Sequence, residues 1–216
     1  MWLLNQKEKL IINPAKLSAG MIINSSPNHV AWYDIPTHAI RAYQFLRWHK
    51  NYKDTHSMYY VGTAFGKFKV PHVFEVTTPR AKYTPLSEIL EKDKTFTAYS
   101  YTAAIPSKSD LLSMLKVCDD INGTWYDIGE LFDFMIQHIL GYPTDEFHQW
   151  FDFGTDNLVC SVGVMVILMS WWKDRLKELG LPRPGGEAHV ERCDPATFAN
   201  HPTFVHLGEL LEENHA

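Results

Sequence analysis

Clustered positive charge is missing from this chain. Its 216 residues hold 20 Lys or Arg against 25 Asp or Glu, a formal charge of −5 with histidine neutral, and no stretch gathers four or more bases. That excludes a phosphate-neutralising surface, which draws most of its binding energy from grouped Lys and Arg, so no nucleic-acid partner is expected. Cysteine is scarce as well. Cys118, Cys160 and Cys193 are too few and too unevenly spaced for a disulfide framework or a paired-cysteine zinc site, and all three read as thiols. No apolar run reaches the roughly 18–20 residues of a membrane span. The longest, Leu158 to Trp172, is closed by Lys173, Asp174 and Arg175 and reads as a buried helix. The apolar opening Met1 to Leu4 stops at Asn5, Gln6, Lys7 and Glu8, short of the roughly 7–15 residues of a secretory core. No export signal is visible, and the expected location is cytoplasmic. With only 12 Gly and 12 Pro and 45% apolar residues, collagen, coiled coil and disorder are excluded, and one globular domain over residues 1–216 is expected.

What is present divides into an early strand-rich half and a late helix-rich half. Leu17 to Asn24 gives a short strand after a glycine, and Thr37 to Lys50 carries apolar residues at helical spacing. His56 to Gly62 and Val70 to Thr77, rich in β-branched and aromatic residues around a Gly-containing loop, predict a hairpin, and the alternation of Phe96 to Thr102 predicts another strand. From Ser109 the period becomes helical: Asp110 to Val117, Asp127 to Leu140 and Leu158 to Leu179. Leu181 to Gly186 (LPRPGG) reads as a surface linker. Asp194-Pro195 reads as an N-cap followed by proline at the first helical position, opening a short turn before a final helix near Val205 to Leu211. Strands first and helices later predict an α+β fold rather than alternating βαβ units.

Familiar motifs fail. Gly62 to Lys67 (GTAFGK) has three residues between its glycines and is followed by Phe68, so no hydroxyl could meet magnesium as in a phosphate loop. HExxH, GxSxG and GxGxxG after a strand are missing, and the eleven histidines are scattered with no pair at ligand spacing on a convincing helix. Neither a metal site nor a cofactor is expected. Cys160 stands out instead. It lies in the first turn of the most apolar helix, after the capping cluster Thr155, Asp156 and Asn157, where the helix dipole favours a thiolate and lowers its pKa below the roughly 8.5 of free cysteine. Buried cysteine is most often structural, so position alone assigns nothing. A thiolate nucleophile also needs a base, and the base an orienting group. His56 at the start of its strand and Glu75 on the partner strand, between apolar Phe74 and Val76, can supply both, with His72 as the competing base.

The runs THSMYYVG, VFEVT, WYDIGELFDF and NLVCS resemble the circularly permuted branch of the NlpC-type papain-like cysteine hydrolases, the YiiX/YaeF-like proteins related to lecithin retinol acyltransferase, in which the His precedes the Cys. Gly20-Met21-Ile22-Ile23, His56, Glu75, Tyr126-Asp127, Cys160-Ser161, Pro195-Ala196-Thr197-Phe198 and His201-Pro202-Thr203-Phe204 follow the family order from about residue 17 to 206. The resemblance implies a papain-like fold, an antiparallel sheet packed on a central helix that bears the nucleophile. It implies Cys160 as nucleophile, His56 as general base and acid, Glu75 as its orienting group, and Tyr126 with the Cys160 N–H as donors to the oxyanion. It implies hydrolysis of an amide in a cell-wall peptide, or of a lipid amide or ester, through a thioester, with a small peptide or lipid as the partner. A thiol acyltransferase or an inert ligand-binding module on the same fold are the alternatives. Met21 stands where the family has Asp, and Val162 where Glu or Gly is common, so the cleft is expected to differ.

Overall fold

A computed structural model describes residues 11–102, 104–126, 159–172 and 193–210. Seven strands form one sheet: β1 (Ile11–Ile12), β2 (Ile22–Pro27), β3 (His56–Gly62), β4 (His72–Glu75), β5 (Lys82–Pro85), β6 (Lys94–Tyr101) and β7 (Phe204–Leu210), in the spatial order β1-β7-β6-β2-β3-β4-β5. All neighbours are antiparallel except β1, which joins β7 in parallel. Five α-helices accompany them among the described residues: α1 (Ile35–Trp48), α2 (Leu86–Leu90), α3 (Lys108–Ile121), α4 (Cys160–Trp171) and α5 (Pro195–Asn200). The chain is therefore α+β, and no helix among the described residues is long and apolar enough to cross a membrane.

Side-chain alternation divides the sheet into two faces. Ile22, Tyr59, Phe74 and Tyr99 point to the side where α3 and α4 supply Met114, Met165, Ile167 and Leu168. Ile23, Met58, Val73, Phe96 and Ala98 point to the other, where α2 contributes Leu86 and Ile89. Helix α4 is apolar all round, as a helix enclosed in a core must be; nine of its twelve residues are buried. Its Gly163 lets it approach the sheet, because an added Cβ there would overlap the side chain of Val76.

The expected hairpin is present, with β3 at the expected bounds and β4 trimmed to His72–Glu75. The strand expected after the glycine within Leu17 to Asn24 is β2, which starts at Ile22 once Gly20, at φ +98°, has turned the chain. One expectation needs correction: the helix expected near Val205 to Leu211 is strand β7. Ala98 pairs with Gly208 while Tyr99 pairs with His206, so Leu207 is an extra residue in β7. This bulge breaks the two-residue period and leaves Phe204, Leu207 and Leu210 at a spacing that imitates a helix. Strand β5 and helix α2 were not foreseen. Asp194 caps α5 as expected, accepting from the Thr197 N–H at 2.8 Å, with Pro195 in the first turn. The expected helix at Asp127 to Leu140, the LPRPGG linker and the cluster Thr155 to Asn157 lie outside the described residues.

Candidate active site

Pairing register assembles the first half of the site. Glu75 lies opposite Met58, two residues from His56 on the same strand, so His56 and Glu75 share one face of neighbouring strands. His56 Nε2 lies 3.1 Å from Glu75 Oε2. The other carboxylate oxygen accepts from Thr84 Oγ1 at 2.7 Å, across the β4–β5 pair, and stands 4.0 Å from Lys82 Nζ. Glu75 is buried in a sheet interior, and these donors satisfy it.

Helix α4 brings the second half. Cys160 is its first residue, buried at 4% exposure. The preceding residue, Val159, takes the N-cap position without a side-chain hydrogen bond. The His56 ring, 3.1 Å from Glu75 on one side, also acts on the Cys160 sulfur: each shifts the other towards its charged form. With Nε2 committed to the carboxylate, Nδ1 is the nitrogen left for sulfur. The structure brings Cys160, His56 and Glu75 together, with His56 bonded to Glu75 and electrostatically linked to the Cys160 sulfur.

The three cysteines, all free, are differentiated by their surroundings. Burial pushes the thiols of Cys118 and Cys193 well up, where a proton is firmly held. Burial pushes Cys160 up too, yet the hydrogen bond and charge of His56, then the backbone N–H groups of Ser57 and Ser161, outweigh it and lower the thiol below its ordinary range. The same exchange acts on its partners. Burial pulls His56 down, but the hydrogen bonds and charges of Cys160 and Glu75 raise it to about 9. Burial raises Glu75, but His56 and Thr84 bring it to about 2. The arrangement favours a thiolate, an imidazolium and a carboxylate in a row.

Tyr126 lies in the wall of a cavity of about 30 Å³ beside Cys160, together with Ile40, Tyr43 and Val159, room for about one water molecule. Its backbone is fixed by an N–H bond to the Pro79 carbonyl at 3.1 Å. Asp127, its expected companion, lies outside the described residues. His72 is elsewhere: its Nδ1 donates to the Val70 carbonyl at 2.8 Å and its ring stacks on Phe68.

Sequence reasoning missed the scaffold that holds the two halves together. Buried Asn24 accepts from Ser57 Oγ at 2.8 Å and donates to Asp54 Oδ2 at 3.0 Å and to the Pro195 carbonyl at 2.7 Å. Buried Gln44 donates to the Asp54 carbonyl and accepts from the Ala196 N–H, both at 2.6 Å. Ser161 Oγ donates to the Cys193 carbonyl, which ties the start of α4 to the same segment. The signal available was a polar residue closing the apolar run Met21-Ile22-Ile23-Asn24, where an amide entering a core needs partners.

No family model matches the chain, and no curated protein matches it in sequence. Among solved structures, YiiX from Escherichia coli O157:H7, described as a metalloprotein, aligns with a TM-score of 0.53 over 90% of this chain and 98% of its own, at 17% identity. At that identity the likeness is one of fold: this chain has a YiiX-like α+β architecture. Among the described residues, no group of three or more His, Cys, Asp or Glu side chains is placed to hold a metal ion, so no step is derived through one.

Proposed function

We propose that this chain is a papain-like cysteine hydrolase of the circularly permuted NlpC type, acting on an amide or ester of a small peptide or lipid, with Cys160 as nucleophile, His56 as base and acid, and Glu75 as the group that orients His56. The observation that carries the reading is His56 held 3.1 Å from Glu75 and acting on Cys160 at the start of α4, with Cys160 lowered where the two other buried thiols are raised. The YiiX-like fold supports it.

The chemistry follows from the positions. The Cys160 thiolate attacks the carbonyl carbon, forming a C–S bond and moving an electron pair onto the carbonyl oxygen. The Cys160 N–H, first of a helix, has no partner within that helix and can receive the oxyanion, with the Tyr126 hydroxyl as second donor. Collapse expels the amine or alcohol, which takes its proton from the His56 imidazolium. Neutral His56 then removes a proton from water as its oxygen attacks the thioester. The acid departs and the Cys160–His56 pair is restored. Glu75 keeps the ring aligned and stabilises the imidazolium without itself becoming protonated.

The test is turnover of acyl-peptide and acyl-lipid substrates by wild type, Cys160→Ala and His56→Ala. The proposal expects no turnover from the first variant and a loss on the order of 10²–10⁴-fold from the second. Full activity of Cys160→Ala overturns it.

A further inference from the structure

On the His56 side of the site, opposite the small apolar cavity at Cys160, a pocket of about 190 Å³ opens over the face of the sheet that carries Ile23, Met58 and Phe96. Register explains its lining. Ser25 pairs with His56 across β2–β3 and with Phe96 across β2–β6, and Lys94 precedes Phe96 by two, so alternation sends Ser25, His56, Glu75 and Lys94 to one face. The turn from α2 into β6 adds Lys92, whose carbonyl accepts from the Lys94 N–H at 2.7 Å and so holds the two lysines close.

Three features of this pocket lack a counterpart. Neither Lys92 nor Lys94 has a carboxylate within 4.0 Å among the described residues; Glu75 acts on both, and Asp34 on Lys94, only from farther away. The two ammonium groups oppose each other's charge, and Lys94, half-buried, is held below the usual lysine range by burial and by Lys92. Ser25 Oγ, on a residue 1% exposed, has no hydrogen-bond partner among the described residues. A buried hydroxyl without a partner is costly, and here it lines the same pocket as two lysines that make no direct ion pair among the described residues.

We propose that this pocket binds an anionic group, a carboxylate or a phosphate, carried by the part of the substrate that leaves with the His56 proton. This rests on the hydrolase reading, which sets the leaving group beside His56 because that ring must protonate it. Lys92 and Lys94 pair with the anion, and Ser25 donates its hydroxyl proton to one of its oxygens. The substrate is thus an amide or ester whose amine or alcohol component is acidic.

Two alkylating agents of nearly equal size test this, neutral iodoacetamide and anionic iodoacetate, with the modified residue identified by mass spectrometry. In wild type the ratio of the iodoacetate to the iodoacetamide rate constant at Cys160 should exceed that of a free thiol. It should fall by about threefold or more in Lys92→Gln and in Lys94→Gln, as loss of one nearby charge requires. Ser25→Ala should lower the ratio too while the melting temperature holds, because the hydroxyl gives up no bond in the free protein. Inorganic phosphate and acetate should each slow the iodoacetate reaction, and the one acting at lower concentration identifies the anion. Rapid iodoacetamide labelling with a ratio unmoved by all three substitutions overturns this inference and leaves the hydrolase reading standing. Labelling of Cys160 no faster than a free thiol overturns the hydrolase reading itself. Lys92 is exposed, so its variant carries the test even where Lys94→Gln does not fold.

Discussion

Glu75→Gln keeps the shape and, with its amide oxygen still accepting from Thr84, replaces the carboxylate oxygen facing His56 by an NH2 group, so both the charge and the hydrogen bond at that contact are lost. Against the pull of burial, Cys160 and Glu75 lift His56 from 6.5 to about 9. At about 1.4 kcal/mol per pKa unit, that net lift is worth about 3 kcal/mol, shared between the two partners, and a hydrogen bond to a charged group contributes roughly 1.5–3 kcal/mol. The variant should therefore lose about 1.5–2 kcal/mol of stability where both partners are charged. The pH window follows from the two shifts. His56, raised in the folded state, contributes fully below 6.5 and loses its contribution as pH rises through about 9. Glu75, depressed, contributes fully above 4.5 and loses its contribution as pH falls towards about 2. The deficit of Glu75→Gln should be largest between those ordinary values and shrink at alkaline pH. Urea unfolding at about pH 5.5 and about pH 10 measures it, with the midpoint difference converted through the slope. An equal deficit at both pH values would refute the charge pairing and reduce Glu75 to a shape in the core.

In native protein, iodoacetamide should label one cysteine per chain, Cys160, because burial holds the Cys118 and Cys193 thiols protonated; peptide mapping reads this, and comparable labelling of all three would contradict the contrast between them. His72→Ala should leave that labelling rate within about twofold of wild type, since the ring stacks on Phe68 and bonds Val70 instead of approaching sulfur. Gly163→Ala should cost about 1–3 kcal/mol in a denaturant melt by forcing a methyl against Val76. The same substitution should cost less in a Val76→Ala background, and strictly additive effects would argue that α4 does not press on Val76 there.

Much of the candidate site was legible because Cys160, His56 and Glu75 sit where local sequence is least ambiguous. A His opening the run Ser57 to Val61 and an acid inside Val73 to Val76 mark two strands whose period is plain, and register then carries Glu75 to His56. Cys160 is polarisable sulfur at the very start of an apolar helix. What escaped is non-local. Lys92 and Lys94 reach the pocket through α2 and its turn, a five-residue helix too short to leave a period. Asn24, Gln44 and Asp54 gain meaning only once segments 171 and 152 positions apart in the chain are joined by hydrogen bonds. Strand β7 was misread for a different reason: its bulge at Leu207 replaces the alternation that identifies a strand with a three-residue spacing.

The central claim is that Cys160 loses its proton to His56 in the resting protein. Titrating the ultraviolet absorbance of thiolate in wild type, with Cys160→Ala subtracted, reads that proton directly. The account predicts that the difference signal is already present at about pH 7, below the roughly 8.5 of a free thiol. A signal that emerges only above roughly 8.5 would place the proton on sulfur at neutral pH and contradict it.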